Sequence, residues 1–373
     1  MTFFQIERRS KKTRARLGKI TTPRGEILTP AFVPVATKGT LKAIPPKDIK
    51  ELGVQVAFVN TFHLVDDPGL EVIEKFGGIH KYAKLDIPLM SDSGGFQVFS
   101  LGGKKIGVPR SEEKGTPVLE IDEQGVCFRS PKNGEEVLFT PEFSIQAQKD
   151  IGADIIMAFD ECIFYGADKK YTEKATERTH RWLLRCIKAK KRKDQTLYGI
   201  IQGGVFKDLR IDSAKFVAKQ NIDGIAIGGV SVGETHKELR DQVKWVALYL
   251  PEHLPCHLLG VGRIEDITEF IKLGIDTFDC AEPTRIARHG QVFRRQGQKI
   301  MRLDAMKGSL RGDKNPIDKN CVCYTCQNFS LSFLHHLFQE RELIAYYLAS
   351  YHNLFFFEQI FRELRRQIAT GKI

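Results

Sequence analysis

Leu197-Tyr198-Gly199-Ile200-Ile201-Gln202-Gly203-Gly204, helical sequence over Phe206–Asn221, then Gly224-Ile225-Ala226-Ile227-Gly228-Gly229: on this stretch the fold turns. Each apolar run is unbroken rather than alternating, as in a strand covered on both faces, and each ends in a glycine turn. Strand, helix and strand in that order predict a parallel pair joined by a crossover. The same unit recurs along the chain. Strands are expected at Ala31–Ala36, Val56–Asn60, Pro88–Ser91, Asp154–Phe159, Leu197–Gln202, Gly224–Gly228, His257–Val261 and Asp276–Asp279. Between them Pro45–Leu52, Pro141–Ile151, Thr172–Lys191, Phe206–Asn221, Thr235–Leu250 and Arg263–Leu273 have helical character. Eight such units predict an α/β chain closed as a (β/α)8 TIM barrel rather than a doubly wound sheet.

Two segments depart from the alternation. Ser100–Thr140, rich in Gly, Lys and Glu, contains alternating pieces at Val118–Ile121 and Val126–Phe128 and predicts a β-hairpin insertion after the third strand. Ala281–Asn320 is strongly basic and runs into a cysteine cluster, after which Phe329–Glu340 and Arg341–Ile368 read as aromatic-rich helices. The 373 residues are 42% hydrophobic and 28% charged, which excludes collagenous, coiled-coil and disordered chains. Lys and Arg number 57 against 46 Asp and Glu, a net charge of +11 that favours a polyanionic partner. Met1–Arg16 lacks the apolar centre of a signal peptide, and Leu354-Phe355-Phe356-Phe357 is cut by Glu358, far short of a membrane span. A soluble, cytoplasmic protein is expected. Cys127, Cys162, Cys186, Cys256 and Cys280 are scattered and read as reduced core thiols.

In a parallel barrel the functional side chains gather where strands end, on the carboxyl face. Here those ends are polar: Ser91-Asp92-Ser93-Gly94-Gly95-Phe96-Gln97, Asp160-Glu161, Gln202-Gly203-Gly204, Gly228-Gly229 and Asp279. Each alone is a cap or a turn; together they converge on one rim. Asp92 and Asp279 supply two carboxylates to one cavity, the pairing that glycosidic-bond chemistry uses, one attacking the anomeric carbon and one moving protons. Asp160 and Gln202 offer an acceptor and an amide that suit a purine edge, and the glycines let backbone amides come close.

Cys321-x-Cys323-x2-Cys326 supplies three thiolates, and with one imidazole they make a closed, structural zinc site. His352 follows the cluster, but His335 and His336 also lie nearby and spacing does not choose among them. The basic runs Arg8-Arg9-Ser10-Lys11-Lys12 and Lys188–Lys193 read as solvated faces, whereas Arg285–Lys319 would form a basic rim beside the cavity.

The motifs Asp92-Ser93-Gly94-Gly95-Phe96-Gln97, Phe159-Asp160-Glu161-Cys162, Gly199-Ile200-Ile201-Gln202-Gly203-Gly204, Gly228-Gly229-Val230-Ser231-Val232-Gly233-Glu234, Gly260-Val261-Gly262, Phe278-Asp279-Cys280 and Pro283-Thr284-Arg285 span the chain in order. With the Cys-x-Cys-x2-Cys…His set they closely resemble the bacterial tRNA-guanine transglycosylases, or queuine tRNA-ribosyltransferases. The resemblance implies a barrel over residues 1–280 with an insertion at about 100–140, an embedded basic zinc-binding subdomain over 281–353, and a C-terminal helix over 354–373 packing back on the barrel. It implies a homodimer that replaces the wobble guanine of tRNAs with a GUN anticodon by 7-aminomethyl-7-deazaguanine (preQ1), a step toward queuosine. Carried over residue by residue, Asp279 is the nucleophile that forms a ribosyl-enzyme and Asp92 the general acid/base. Ser93, Gly94, Gly95, Phe96, Asp160, Gln202 and Gly229 bind the base. Gly260, Val261, Gly262, Arg263, Ile264, Glu265 and Asp266, and Thr284, Arg285, Ile286, Ala287 and Arg288, contact tRNA. Cys321, Cys323, Cys326 and His352 hold one structural Zn2+.

The chain departs from the family pattern in three places. His257-Leu258-Leu259 stands where Tyr-Leu-Met is usual, Ala281-Glu282 follows the nucleophile in place of two apolar residues, and Asp66-Asp67 precedes Pro68-Gly69 where a basic residue is usual. The added carboxylates predict weaker local attraction for phosphate, not altered chemistry. Val232, where the queuine-using eukaryotic subunit has glycine, favours the smaller aminomethyl base. There is no room for the carboxyl-terminal RNA-binding module of the archaeal branch. A non-catalytic tRNA-binding subunit of the same fold is the alternative of another class; Asp92 and Asp279 together speak against it, as the zinc module and basic segment do against a glycoside hydrolase of small sugars.

Overall fold

The computed structural model describes residues 2–97, 118–130, 134–297 and 299–373. Eight strands, β1 (Ala31–Pro34), β2 (Ala57–Val59), β3 (Leu89–Ser91), β4 (Ile155–Met157), β5 (Thr196–Ile201), β6 (Gly224–Ile227), β7 (Cys256–Leu258) and β8 (Thr277–Cys280), form one parallel sheet. Their order is β1-β8-β7-β6-β5-β4-β3-β2, and a bridge from Val35 to Phe58 closes β1 onto β2. This is the expected (β/α)8 barrel. Each strand lies within its expected run or one residue beyond it. Most of the trimmed residues are at the carboxyl ends, where the chain leaves the ladder to build the rim loops.

The unbroken apolar runs have the predicted cause. Val33, Phe58, Met90, Ile155, Met157, Tyr198, Ile200 and Ala226 point inward and make one buried cluster. Phe32, Val59, Leu89, Ile156, Ile201, Ile225, Leu258 and Phe278 point outward into a second, shared with the surrounding helices. Each buried side chain of this size contributes about 1.5–3 kcal/mol, so both faces reward apolar residues and period-2 patterning disappears.

A three-stranded antiparallel sheet (Phe4–Arg9, Arg16–Thr22, Gly25–Thr29) precedes the barrel. Phe4, Ile20 and Ile27 join the inward cluster, so this sheet plugs the amino end. Arg16 fastens it there, donating to both carboxylate oxygens of Asp276 at 2.9 and 2.6 Å. Its charges hide it in the sequence: only alternate residues are apolar. The insertion has three strands, Val118–Ile121, Val126–Arg129 and Glu136–Phe139, one more than a hairpin; the expected residues 100–117 and 131–133 lie outside those described. Phe139 anchors it, packing against Phe128, Phe143 and Phe159.

The basic segment forms a hairpin, Gln291–Gln296 with Lys299–Asp304. A single 27-residue helix, Leu343–Ala369, then carries His352 and, further along, Phe357 and Phe361, which pack on Phe32 of β1. The division expected at residues 353 and 354 falls inside it. No helix among the described residues is long and apolar enough to cross a membrane.

Candidate active site and metal centre

Asp92 follows β3 directly. Its Oδ1 accepts from the Thr61 N–H at 2.7 Å and the Gly94 N–H at 3.2 Å, and its Oδ2 from Asn60 Nδ2 at 2.5 Å. Enclosure pushes its carboxyl up to about 6, against the pull of donors from Asn60, Thr61, Gly94 and Gln97. Asn60 carries the same signal as Asp92, a polar residue closing an apolar run, and belongs with the site although nothing in its spacing marks it.

Asp160 follows β4 and is buried. Its Oδ2 accepts from Gln202 Nε2 at 2.7 Å and its Oδ1 from Ser93 Oγ at 3.2 Å. Burial pushes this carboxyl also up to about 6, opposed by Gln202 and Ser93 and assisted by the charge of Asp92. Gln202 Oε1 is buried with no partner among the described residues, an acceptor left for a ligand's donor. Two glycines are required. A Cβ on Gly95 would lie 2.7 Å from the Asp160 carbonyl oxygen, and one on Gly229, at φ +59°, would overlap Gln202 Oε1. Phe96 is half exposed on the rim.

Behind these loops lies Arg210, fully buried and not singled out by the sequence. It donates to the carbonyls of Gly204 at 2.7 Å, Gly228 at 2.6 Å and Gly229 at 2.6 Å, and to Gln242 Oε1 at 2.6 Å. Burial pulls its guanidinium down to about 10, which leaves it charged at neutral pH.

Asp279, the third residue of β8, is buried. Its Oδ1 accepts from the Gly260 N–H at 2.9 Å and lies 3.1 Å from His257 Nε2. Its Oδ2 accepts no hydrogen bond among the described residues. Asp92, Asp160, Gln202 and Asp279 thus stand at the carboxyl ends of β3, β4, β5 and β8, on the same face of the barrel.

The expected tRNA-contacting segments divide by exposure. Gly260–Gly262 follows β7 and runs into the helix Ile264–Lys272, and Thr284–Ala287 lies in the helix Glu282–Ala287. Arg263, Glu265 and Arg285 are exposed and Ile264, Ile286 and Arg288 half-buried, whereas Val261, Asp266, Thr284 and Ala287 are buried. Asp266 is engaged by Arg240 at 2.7 Å. Arginines at 263, 285 and 288 are therefore the cations this rim offers.

Cys321, Cys323, Cys326 and His352 form a group whose ligand atoms all lie within 4.8 Å of one another, able to hold a metal ion. His352 Nδ1 faces the three sulfurs at 3.8, 3.5 and 3.3 Å, while its Nε2 donates to the Phe293 carbonyl at 2.7 Å. That second bond fixes the tautomer a metal needs. The structure also chooses among the histidines: His335 Nδ1 is bonded to the Ala305 carbonyl, and His336 is exposed.

The raised carboxyls have a cost in stability. The folded-state pKa of Asp160 lies above its unfolded value of about 3.9, so the fold binds the proton more tightly and loses stability as pH rises from about 4 through about 6. Asp160→Asn is expected to stabilise the protein by about 3 kcal/mol at pH 7.5 and by about half that at pH 5. Urea unfolding at the two pH values measures it; an equal gain at both would contradict the linkage.

The sequence model of one family, described as queuine tRNA-ribosyltransferase, matches residues 10–373. The chain is 41% identical over 98% of its length to the queuine tRNA-ribosyltransferase of Natranaerobius thermophilus, covering 94% of that protein. It is 44% identical to that of Synechococcus elongatus (94% of this chain, 87% of the relative) and 43% identical to that of Protochlamydia amoebophila (100% and 97%).

Proposed function

The chain belongs to the queuine tRNA-ribosyltransferase family, and from that premise we propose that it is a pentosyltransferase exchanging guanine in tRNA on the path to queuosine. The wobble guanine of GUN anticodons is the base removed, and preQ1 the base installed. The observation that carries this reading is the asymmetric tethering of Asp279: Oδ1 is held by Gly260 while Oδ2 accepts no hydrogen bond among the described residues. An open carboxylate oxygen on a fixed side chain is what a glycosyl nucleophile requires.

The flipped nucleotide enters the mouth and presents its hydrogen-bonding edge to Asp160, Gln202 and Gly229. Asp279 Oδ2 attacks C1′ as the C1′–N9 bond breaks, its electron pair going to the purine. Asp92, whose carboxyl is pushed up to about 6 by burial, protonates the leaving base and takes the N9 proton of the incoming one. The half-exposed Phe96 closes the base's other face. Cys321, Cys323, Cys326 and His352 would hold Zn2+ with four protein ligands, and the ion would brace the subdomain rather than take part in the exchange. Incorporation of labelled guanine into unmodified tRNA tests the activity; GUN tRNAs should accept it, and no label in any tRNA would refute the proposal.

The enzyme works in the cytoplasm as a homodimer. Supporting the second copy, Tyr324, Phe329 and Phe333 are linked by ring contacts, and Tyr324 and Phe333 are exposed, as is Val322 two residues before Tyr324. A monomeric mass in solution would remove that part.

The unusual acids act on affinity. Asp67 pairs with Lys38 at 3.0 Å and Glu282 with Arg302, so each occupies a cation that would otherwise face phosphate. Asp67→Arg and Glu282→Leu are expected to tighten tRNA binding several-fold at low salt and to steepen its salt dependence by about one to two phosphate contacts. Titrations at matched ionic strength decide; unchanged affinity in both variants would show that these pairs are irrelevant to tRNA.

A further inference from the structure

Among the described residues, His257 is the one side chain within hydrogen-bond distance of the Asp279 carboxylate. It is fully buried on β7, opposite Thr277 of β8, and its ring stacks on Phe58 of β2 at 5.7 Å and 12°. Thr277 and Asp279 are two residues apart on β8 and therefore point the same way. His257 spans both, with Nδ1 2.9 Å from Thr277 Oγ1 and Nε2 3.1 Å from Asp279 Oδ1. An ionised carboxylate only accepts, so Nε2 carries the proton. In the neutral ring Nδ1 then accepts from the threonine hydroxyl, and both nitrogens are satisfied without a buried charge.

We infer that His257 is a positioning residue that controls the second displacement, the release of ribose from Asp279 to the incoming base. This rests on Asp279 being the nucleophile. Two donors, Nε2–H of His257 and the Gly260 N–H, converge on Oδ1, and none among the described residues reaches Oδ2. Oδ2 is thereby the atom that bonds to C1′, and Oδ1 becomes the carbonyl oxygen of the ribosyl ester. When N9 of the incoming base attacks, the C1′–Oδ2 bond breaks and its electron pair returns to the carboxylate. The base's N9 proton goes to Asp92. Negative charge then grows on Oδ1, where the two donors already wait, so their bonds strengthen in that transition state. In the first displacement charge leaves Oδ1, and the same donors oppose it mildly. His257 thus moves the balance away from the ester and toward its resolution.

The test compares parent, His257→Phe, His257→Gln and Thr277→Val, reading guanine-exchange kcat and KM for tRNA alongside the fraction of enzyme covalently attached to tRNA after rapid quenching. The Phe variant keeps the ring and the Phe58 stack but cannot donate. It should lower kcat roughly tenfold to a hundredfold, leave KM within about twofold, and raise the covalent fraction. The Gln variant, whose amide reaches the same oxygen, should recover most of the turnover and the low covalent fraction. Thr277→Val, which removes the donor to Nδ1, should shift both readouts the same way by a smaller factor and serves if the Phe variant does not fold. No rise in the covalent fraction in the folded Phe and Val variants would overturn the inference. Asp279→Ala separates the two failures: a covalent adduct that persists without Asp279 refutes the nucleophile itself, whatever His257 does.

Discussion

Asp279→Ala protein is expected to fold, to bind tRNA, and to incorporate no guanine. The loss should reach at least about 10^4 in kcat, because the proposed double displacement would have no second route once the attacking oxygen is gone. Binding should change little, since the side chain is enclosed at the end of β8 and its partners are Gly260 and His257, not exposed cations. The fold should tolerate the change as well. Alanine leaves the Gly260 N–H and the imidazole facing a cavity that water can enter, which holds the stability cost to about 1 kcal/mol. Three measurements on one preparation suffice: tRNA affinity, thermal midpoint and label incorporation. Residual exchange within tenfold of the parent, with tRNA still bound, would show that another group attacks the sugar.

Loss of a metal from the Cys3His group should have the larger effect on the fold. Cys323 is buried, and a structural Cys3His centre supplies on the order of 10 kcal/mol of apparent folding free energy in small domains. Here the loss does not stay local. His352 belongs to the same helix that lays Phe357 and Phe361 on Phe32 of β1, with Phe361 also against Phe278 of β8. Freeing the ligands frees the helix's start, and the outer face of two barrel strands loses its cover. Cys323→Ser, or a strong chelator, should therefore lower the thermal midpoint of the whole protein by more than about 10 °C. Metal analysis and calorimetry check it together. A metal-free preparation that melts with the parent would end the case for a structural ion.

The barrel was readable because its physics is repetitive. Runs such as Ile155-Ile156-Met157 and Ile225-Ala226-Ile227 are apolar on both faces since both faces are buried, and that signature needs no context. Asp92, Asp160 and Asp279 were readable for the converse reason, as charges closing apolar runs. What the sequence hid depends on distant partners. Arg16 looks like one more surface cation until Asp276, remote in sequence, meets it. Arg210 is an ordinary helix residue by spacing, yet it is among the largest buried side chains. His257 was visible as a departure, but its link to Asp279 requires β7 and β8 to be neighbours in register. The choice of His352 over His335 by spacing was open; it took the fold to turn the His352 ring toward the three sulfurs and the His335 ring toward the Ala305 carbonyl.

Arg210 carries one more consequence. A single cation holds the carbonyls of Gly204, Gly228 and Gly229, so the loops after β5 and β6 are bolted to one another from behind. Neither can move without stripping acceptors from a guanidinium that is buried away from solvent. In the proposed base pocket, adenine or a pyrimidine, offering the wrong polar edge, would meet walls braced from behind and bear the penalty of its unmet atoms. On the proposed function, fidelity would come from stiffness, since a frame braced on its far side gives a mismatched base nothing to rearrange.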